Sequence, residues 1–505
     1  MGLLKLLKNI FGSSVIISSE ESDSSNSKND AVSELNPVSN QIEQVSGSKR
    51  ENETDKIYEQ TRELGIGIDF GSSCTKVVIQ DISTSRKWAI PFSNSSISGN
   101  PYLVPSALVI NQDSTFSLNG VGDKIEDIKQ SFIDGGTIPQ GTQGLSPTIV
   151  TAAFISLILR RSLEWFDSNL GKYFEDSRLV FQLNLGFPAK NFSDKDLIAK
   201  YREVSLAAWY SANSEGQIGV KLLEEMLEKS KDNILQDDQS TTGERNSFNH
   251  QYITIIPEVV AGIFGFAKSQ RRREGMCLLI DVGASTLDVG LFNLGYRDNF
   301  DHYWIYETDV RQYGARFYYD AVIKKTDDLI AKKAITRSEV LESDGDIWDV
   351  NPLFQPIPDI PSIRNYSLNL QDDMMAESVQ MITEIMVHAI TKKNNLAIEW
   401  ETALPVAITG GGKSIMFYQE LVKRVHDRIR TIKFNKFVDR IIETPSDLTA
   451  PDLPPNLYHR MQIAYGLSFR PLDFGAIINK DEIEDLKFEV QVVDYSDKYV
   501  GQEMV

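Results

Sequence analysis

The sequence predicts an α/β fold of two lobes, each a mixed sheet with flanking helices. Three observations predict it. An apolar strand twice runs into Asp-x-Gly and small hydroxyl residues and then leaves on a second apolar strand, at Leu64 to Asp81 (LGIGIDFGSSCTKVVIQD) and at Cys277 to Leu294 (CLLIDVGASTLDVGLFNL). A further strand enters a triple-glycine corner and then a helix, in LPVAITGGGKSI from Leu404 to Ile415 and on through Met416 to Ile429. At 505 residues the chain is also too long for one core.

In the first stretch, Ile66, Ile68 and Phe70 alternate with small or polar residues, and Val77 and Ile79 resume the pattern after a break. Two short strands joined by a hairpin follow, with the tip at Asp69 to Thr75. Such a tip offers backbone N–H groups, the hydroxyls of Ser72 and Ser73 and one carboxylate. Gly71 lets the main chain approach a ligand closely, and successive N–H groups at a turn form a concavity suited to phosphate oxygens. Asp69 cannot face a bare phosphate, so a cation between them is implied. Alone, the stretch reads equally as an ordinary polar hairpin. Its repetition at Asp281, with Gly283, Ala284, Ser285, Thr286 and Asp288, suggests two related lobes that each turn a hairpin towards one polyphosphate. The bare backbone of Gly410, Gly411 and Gly412, at the start of a helix, suits an adenosine ring and a nearby phosphate.

Ala407 to Ser414, AITGGGKS, also satisfies the loose P-loop pattern, in which Lys413 would reach the β and γ phosphates. Little chain follows to supply the other strands of that fold, and the two aspartate hairpins would go unexplained.

Composition bounds the partners. A formal charge of -19 excludes a general nucleic-acid-binding surface, because phosphate neutralisation needs clustered Lys and Arg. The densest basic run, Arg271 to Arg273, reads as a solvated helix end. Apolar residues at 41% and charged residues at 24% are ordinary for a globular protein. Two cysteines, Cys74 and Cys277, exclude a disulfide framework or a thiolate metal cluster. Both fall near the proposed loops and read as small residues packed in strands, with redox control as the other reading.

The chain divides by composition. In the N-terminal segment 1–12, which opens MGLLKLLKNIF, Leu3, Leu6, Leu7, Ile10 and Phe11 share one helical face and Lys5 and Lys8 the other. That helix is too short to span a bilayer, so an anionic membrane surface, a protein partner or the chain's own body could receive Met1–Phe11. The serine-rich, acidic stretch 13–61 reads as a flexible tether. The first lobe is expected over 62–272, with an insertion at about 221–249 (VKLLEEMLEK, then DDQSTTGERNS) that reads as a surface excursion or partner site. The second lobe is expected over 273–455, with a polar passage at Ser343 to Asp372 in its outer part. A return to the first lobe follows at 456–475, then a tail at 476–505.

Taken together, the set resembles the actin, sugar-kinase and heat-shock-chaperone ATPase superfamily, most closely the nucleotide-binding domain of the 70-kilodalton heat-shock chaperones. Asp69-Phe-Gly-Ser-Ser is similar to that family's first phosphate loop, Asp281-Val-Gly-Ala-Ser-Thr-Leu-Asp288 to its second, and Gly410-Gly-Gly to its adenosine loop. IIPEVVAGIFGF, Ile255 to Phe266, is similar to its connecting helix, and LVPSALVI, NLGFPAKNF, RQYGARFYYDAV and MQIAYGLSF follow in the family's order. The likeness covers roughly Glu63 to Arg470. It departs in four places. The second loop has Gly-Ala-Ser where the chaperones run three glycines, QYGARF has one glycine where they have two, Arg460 or a neighbour stands where they have an acidic residue, and no adenine-clasping helix is readable in DDMMAESVQMITEIMVHAI.

The resemblance implies the actin-like ATPase fold, each lobe built on a ribonuclease-H-like mixed sheet. It implies ATP and Mg²⁺ between the lobes, with phosphates on Ser72, Ser73, Ala284 and Ser285, and Asp69 and Asp281 holding the metal through its waters. Thr286 and Asp288 order the second loop, Glu258 orients the hydrolytic machinery across the hinge and Lys129, in EDIKQSFIDG, is similar to the family's catalytic lysine. A surface helix lysine is the other reading of Lys129. With 35 residues after Arg470, too few for the chaperones' β-sandwich and lid, the expected function is a slow Mg²⁺-dependent ATPase that switches a separate protein partner. The alternative is a membrane-tethered, self-associating actin-like filament protein. A small-molecule kinase is disfavoured, since nothing marks an acceptor pocket. The expected location is the cytoplasm, at the inner face of a membrane if the N-terminal helix binds lipid.

Overall fold

The computed structural model describes residues 60–479 and 482–483, apart from 93–99, 137, 139–143, 189–193, 238–251, 269–273, 298–299, 335–359, 393–403, 414, 431–436 and 440–443. The helix expected at Met1–Phe11, most of the tether, the run Arg271–Arg273 and most of the tail lie outside the described residues. No helix among the described residues is long and apolar enough to cross a membrane.

The fold is mixed α/β. Its first part runs through β1 (Gln60–Phe70), β2 (Cys74–Asp81), β3 (Lys87–Ala89), β4 (Val104–Pro105), β5 (Leu108–Ile110), β6 (Phe116–Ser117) and β7 (Asp123–Ile125). Helices α1 (Ile128–Asp134) and α2 (Pro147–Leu170) follow, then β8 (Ser177–Phe187), α3 (Lys195–Asn213), α4 (Val220–Asp237), β9 (Ile253–Pro257) and α5 (Glu258–Ala267). The remainder comprises β10 (Gly275–Val282), β11 (Leu287–Arg297), β12 (Phe300–Arg311), α6 (Ala315–Ala331), α7 (Pro361–Lys392), β13 (Leu404–Thr409), α8 (Met416–Arg430), β14 (Phe437–Asp439), β15 (Leu448–Thr449), α9 (Gln462–Leu467) and β16 (Ala476–Asn479).

The first large sheet has the order β15-β3-β2-β1-β8-β9, with β4 also paired to β2; the second has the order β14-β13-β10-β11-β12-β16. In each, an antiparallel hairpin pairs on one side in parallel with a strand that enters a helix-bearing crossover, β1 with β8 and β10 with β13. β5, β6 and β7 form a small third sheet.

Local sequence explains the elements. Leu64, Ile66, Ile68 and Phe70 are wholly buried along β1 and meet Val150, Phe154 and Ile158 of α2 in the first core. α2 starts where Ser146 Oγ accepts from the Ile149 N–H at 3.3 Å and Pro147 presets the first turn. α3 starts at Asp194, which accepts from the Leu197 N–H at 3.0 Å. α4 holds Leu223 and Leu227 in that same core, so the first half of the expected insertion is a structural helix and no surface excursion. Residues 361–372 of the expected polar passage form the opening turns of α7.

Three boundaries differ from expectation. β1 begins at Gln60, before the expected end of the tether at Thr61. The chain returns to the first sheet at Leu448–Thr449, where β15 pairs with β3, ahead of residue 456. Residues 476–479 are not tail, since β16 lies beside β12 as the edge of the second sheet. All three depend on pairings between distant strands, which local composition does not carry.

α5 and α9 cross between the two sheets with backbones in contact. A Cβ on Gly466 would stand 1.9 Å from the Ala261 carbonyl oxygen, and one on Gly265 2.5 Å from that of Gln462. Only glycine fits such an approach. Around the crossing, Ile263 and Phe264 of α5 pack with Leu279 and Phe292 of the second sheet and with Tyr465 and Leu467 of α9.

Candidate functional site

The two hairpins turn their tips into one cleft, and strand register decides what stands there. β1 and β2 pair with Asp69 opposite Lys76, and β10 and β11 with Asp281 opposite Asp288. Directly opposed side chains on one sheet face lie within contact range. The first pair is therefore an ion pair, with Lys76 Nζ 2.9 Å from Asp69 Oδ2. The second is a pair of carboxylates. Thr409, at the end of β13, donates to Asp281 Oδ1 at 2.6 Å, and Thr286 donates to Asp288 Oδ2 at 2.6 Å.

Both tips are pinned by their carbonyl oxygens. Ser106 holds the first, its Oγ donating to the Gly71 oxygen at 2.6 Å and its N–H to the Ser73 oxygen at 2.8 Å. The N-terminus of α6 holds the second: the N–H groups of Gly314, Ala315 and Arg316 donate to the oxygens of Ser285, Gly283 and Ala284 at 3.1, 3.0 and 2.7 Å. With their carbonyls engaged, the N–H groups of Ser72, Ser73, Ala284 and Ser285 donate to no backbone carbonyl among the described residues outside the strand ladders. The glycine corner adds a third edge without side chains, its Gly412 N–H donating to the Val282 oxygen at 3.0 Å. Gly410 takes φ +81°, and a Cβ on it would meet the Val282 oxygen at 2.3 Å and Asp281 Oδ1 at 2.6 Å. Glycine is required there on both counts.

Lys129 and Glu258 meet in the same cleft although 129 positions apart in the chain. Lys129 is buried in α1 and Glu258 is the first residue of α5; Nζ stands 2.5 Å from Oε1. The surface reading of Lys129 is thereby corrected. Ahead of it, Asp127 takes a left-handed backbone and binds Arg316 of α6 at 2.5 Å, a clasp between the helices that follow the small and second sheets.

Burial and neighbouring carboxylates raise the proton affinities of Asp281 and Asp288. Burial, then the neighbouring Asp69 and Glu258, pushes the Asp281 carboxyl up to about 6, against the pull of Thr409. Burial, then Asp281, pushes Asp288 up to about 8. Beside them, Asp69 lifts the Lys76 ammonium above its usual value although burial opposes this. These shifts set a pH dependence. From about pH 4 the unfolded chain has released both protons, while the metal-free folded state retains that of Asp281 up to about pH 6 and that of Asp288 up to about pH 8, so stability falls as pH rises through each window, by at most about 1.4 kcal/mol per unit for each group. Asp288→Asn is expected to flatten that fall and to exceed the parent chain in stability at pH 8. Urea unfolding in a chelator at pH 5 and pH 8 checks this, and a variant weaker than its parent at pH 8 would contradict it.

The cleft encloses about 80 Å³, bounded by Asp69, Lys129, Glu258, Asp281, the loop residues and Arg460. That is room for several water molecules. A wider, open groove of about 790 Å³ lies between β12 and α7, lined by Glu307, Glu384 and His388 among others. No loop tip or glycine corner converges there, so the chemistry favours the smaller cleft.

All of the candidate residues are thus brought together: Asp69, Gly71, Ser72, Ser73, Lys129, Glu258, Asp281, Gly283, Ala284, Ser285, Thr286 and Gly410 to Gly412 line the cleft, with Asp288 behind Asp281. Lys413 does not line it. Sequence reasoning missed Lys76, Ser106, Thr409 and Arg316. For Lys76 a signal existed, because it stands seven positions after Asp69 as Asp288 does after Asp281. Cys74 lies at the first tip, but Cys277 pairs with Phe292 well down the second hairpin, away from the cleft; both are buried. Neither the models of known protein families nor the curated proteins give a match to this chain.

Proposed function

We propose that this chain binds and slowly hydrolyses ATP with Mg²⁺ in the cleft between two lobes, in the manner of the actin, sugar-kinase and heat-shock-chaperone ATPases, and that opening and closing of the cleft switches a protein partner. The observation that carries this reading is the convergence of two equivalent Asp-x-Gly hairpins and one glycine corner on a single cleft.

The residues fit such ligands. The N–H groups of Ser72, Ser73, Ala284 and Ser285, without a backbone acceptor among the described residues outside the strand ladders, suit phosphate oxygens. Asp69, Glu258 and Asp281 line the cleft with Asp288 behind them, Asp69 and Glu258 are matched by Lys76 and Lys129, and a divalent cation would offset the buried carboxyls of Asp281 and Asp288. Among the described residues no three His, Cys, Asp or Glu side chains group closely enough to ligate an ion. Asp281 and Asp69 would therefore hold Mg²⁺ through its waters, several of which that ion keeps. When bound, the metal supplies the charge that lets phosphates lie beside carboxylates. Lys129 offsets negative charge at the inner end, and Glu258, held by Lys129, orients water there; hydrolysis needs a positioned water more than a strong base.

The enclosed volume is far below that of a nucleotide, so the reading requires the lobes to part before ATP enters. The clasp of Arg316 on Asp127 is then one of the contacts to be broken. The deciding measurement is ATP-dependent sedimentation of the intact chain with simultaneous phosphate release and thermal unfolding. Slow release without polymer, and stabilisation of about 2.7 kcal/mol with Mg·ATP at 100 times its dissociation constant, is expected. Polymer would transfer the protein to the filament-forming class, and no response to ATP or ADP would overturn the reading.

A further inference from the structure

We propose that Arg460 is a phosphate contact of the cleft, engaging the phosphate nearest the nucleoside, which nucleoside diphosphates and triphosphates share. The assignment rests on the nucleotide-binding reading above. The two lysines of the cleft are each matched by a carboxylate, Lys76 by Asp69 and Lys129 by Glu258. Among the described residues Arg460 is not. Its Nη2 reaches the thiol of Cys74, at 3.9 Å, and its Nε is buried with no acceptor among them.

A buried charged donor left without an acceptor is costly, and an anion bound at that place removes the penalty. The charge pattern asks for one as well. Arg460 lies close enough to Lys76 to oppose its charge, so two cations converge on the first loop tip and only one has a carboxylate.

Position selects which phosphate. Arg460 ends the short turn Pro455–Arg460, and His459, just before it, accepts from the Gly410 N–H at 3.5 Å, which ties that turn to the glycine corner. The guanidinium lies over Gly411, where a Cβ would stand 3.3 Å from Nη2. It therefore faces the corner assigned to the nucleoside side of the ligand, whereas Lys129 and Glu258 mark the reacting end. A planar guanidinium matches two phosphate oxygens at once. The contact outlasts hydrolysis, since the terminal phosphate takes no part in it, and so it retains the diphosphate product in the cleft.

Titration calorimetry of the intact chain with ADP, ATP and adenosine tests this. Arg460→Ala is expected to weaken ADP and ATP equally, by roughly ten- to a hundredfold, and to leave adenosine unchanged. Arg460→Lys should recover part of the loss, and without ligand Arg460→Ala should unfold no lower than the parent chain, since it removes the unsatisfied donor. Unchanged ADP affinity overturns the assignment, as does a loss confined to ATP or one shared by adenosine. A parent chain that binds none of the three overturns the nucleotide reading itself, while a parent that binds ADP as tightly as Arg460→Ala does overturns only this assignment.

Discussion

Lys129→Ala is expected to destabilise the protein by roughly 3–5 kcal/mol and to slow ATP hydrolysis without abolishing ATP binding. Both effects have one origin. The Lys129 ammonium lies 2.5 Å from Glu258, with only 6% and 13% of the two side chains exposed, and Glu258 already raises the proton affinities of Asp281 and Asp288. Without the lysine, a third uncompensated carboxylate joins that crowd. Urea unfolding measures the first effect, and the double variant Lys129→Ala with Glu258→Gln should recover much of it, because it removes the stranded charge along with its partner. Single-turnover hydrolysis measures the second. An unaltered unfolding midpoint would show that the pair is not buried as described, and equal loss of binding and turnover would misplace both residues.

Asp281→Ala should remove the Mg²⁺-dependent part of an ATP stabilisation that totals about 2.7 kcal/mol at 100 times the dissociation constant. Of the two carboxylates proposed to hold the metal's waters, Asp69 is also bound to Lys76, whereas Asp281 receives only the hydroxyl of Thr409. Asp69→Ala therefore frees a lysine near the phosphates, and its loss should be smaller in chelator than in Mg²⁺. Lys413→Ala should change little, since Lys413 stands outside the cleft lining. Thermal unfolding with ATP, in Mg²⁺ and in chelator, separates these variants. If Lys413→Ala alone abolished nucleotide binding while both aspartate variants kept it, a P-loop would be the better account.

By itself the sequence determined what neighbours along the chain decide. Alternation of Ile66, Ile68 and Phe70, and of Leu278 with Ile280, sets strand faces because side chains alternate with a period of two. The Asp-x-Gly corners and the triple glycine mark the turns, since few other residues accept so close a backbone approach. The amphipathic pattern of α4 was legible too, though its destination was not, and it reads as an insertion until Leu223 is seen in the first core. Tertiary structure alone decided which distant groups meet. It buried Lys129 against Glu258, set Arg460 over Gly411, joined Arg316 to Asp127 and sent β15 back to the first sheet ahead of the expected boundary. Those meetings depend on strand order and on the glycine-permitted crossing of α5 and α9, which bring together segments hundreds of residues apart; no local periodicity encodes a contact whose partner lies beyond the next turn.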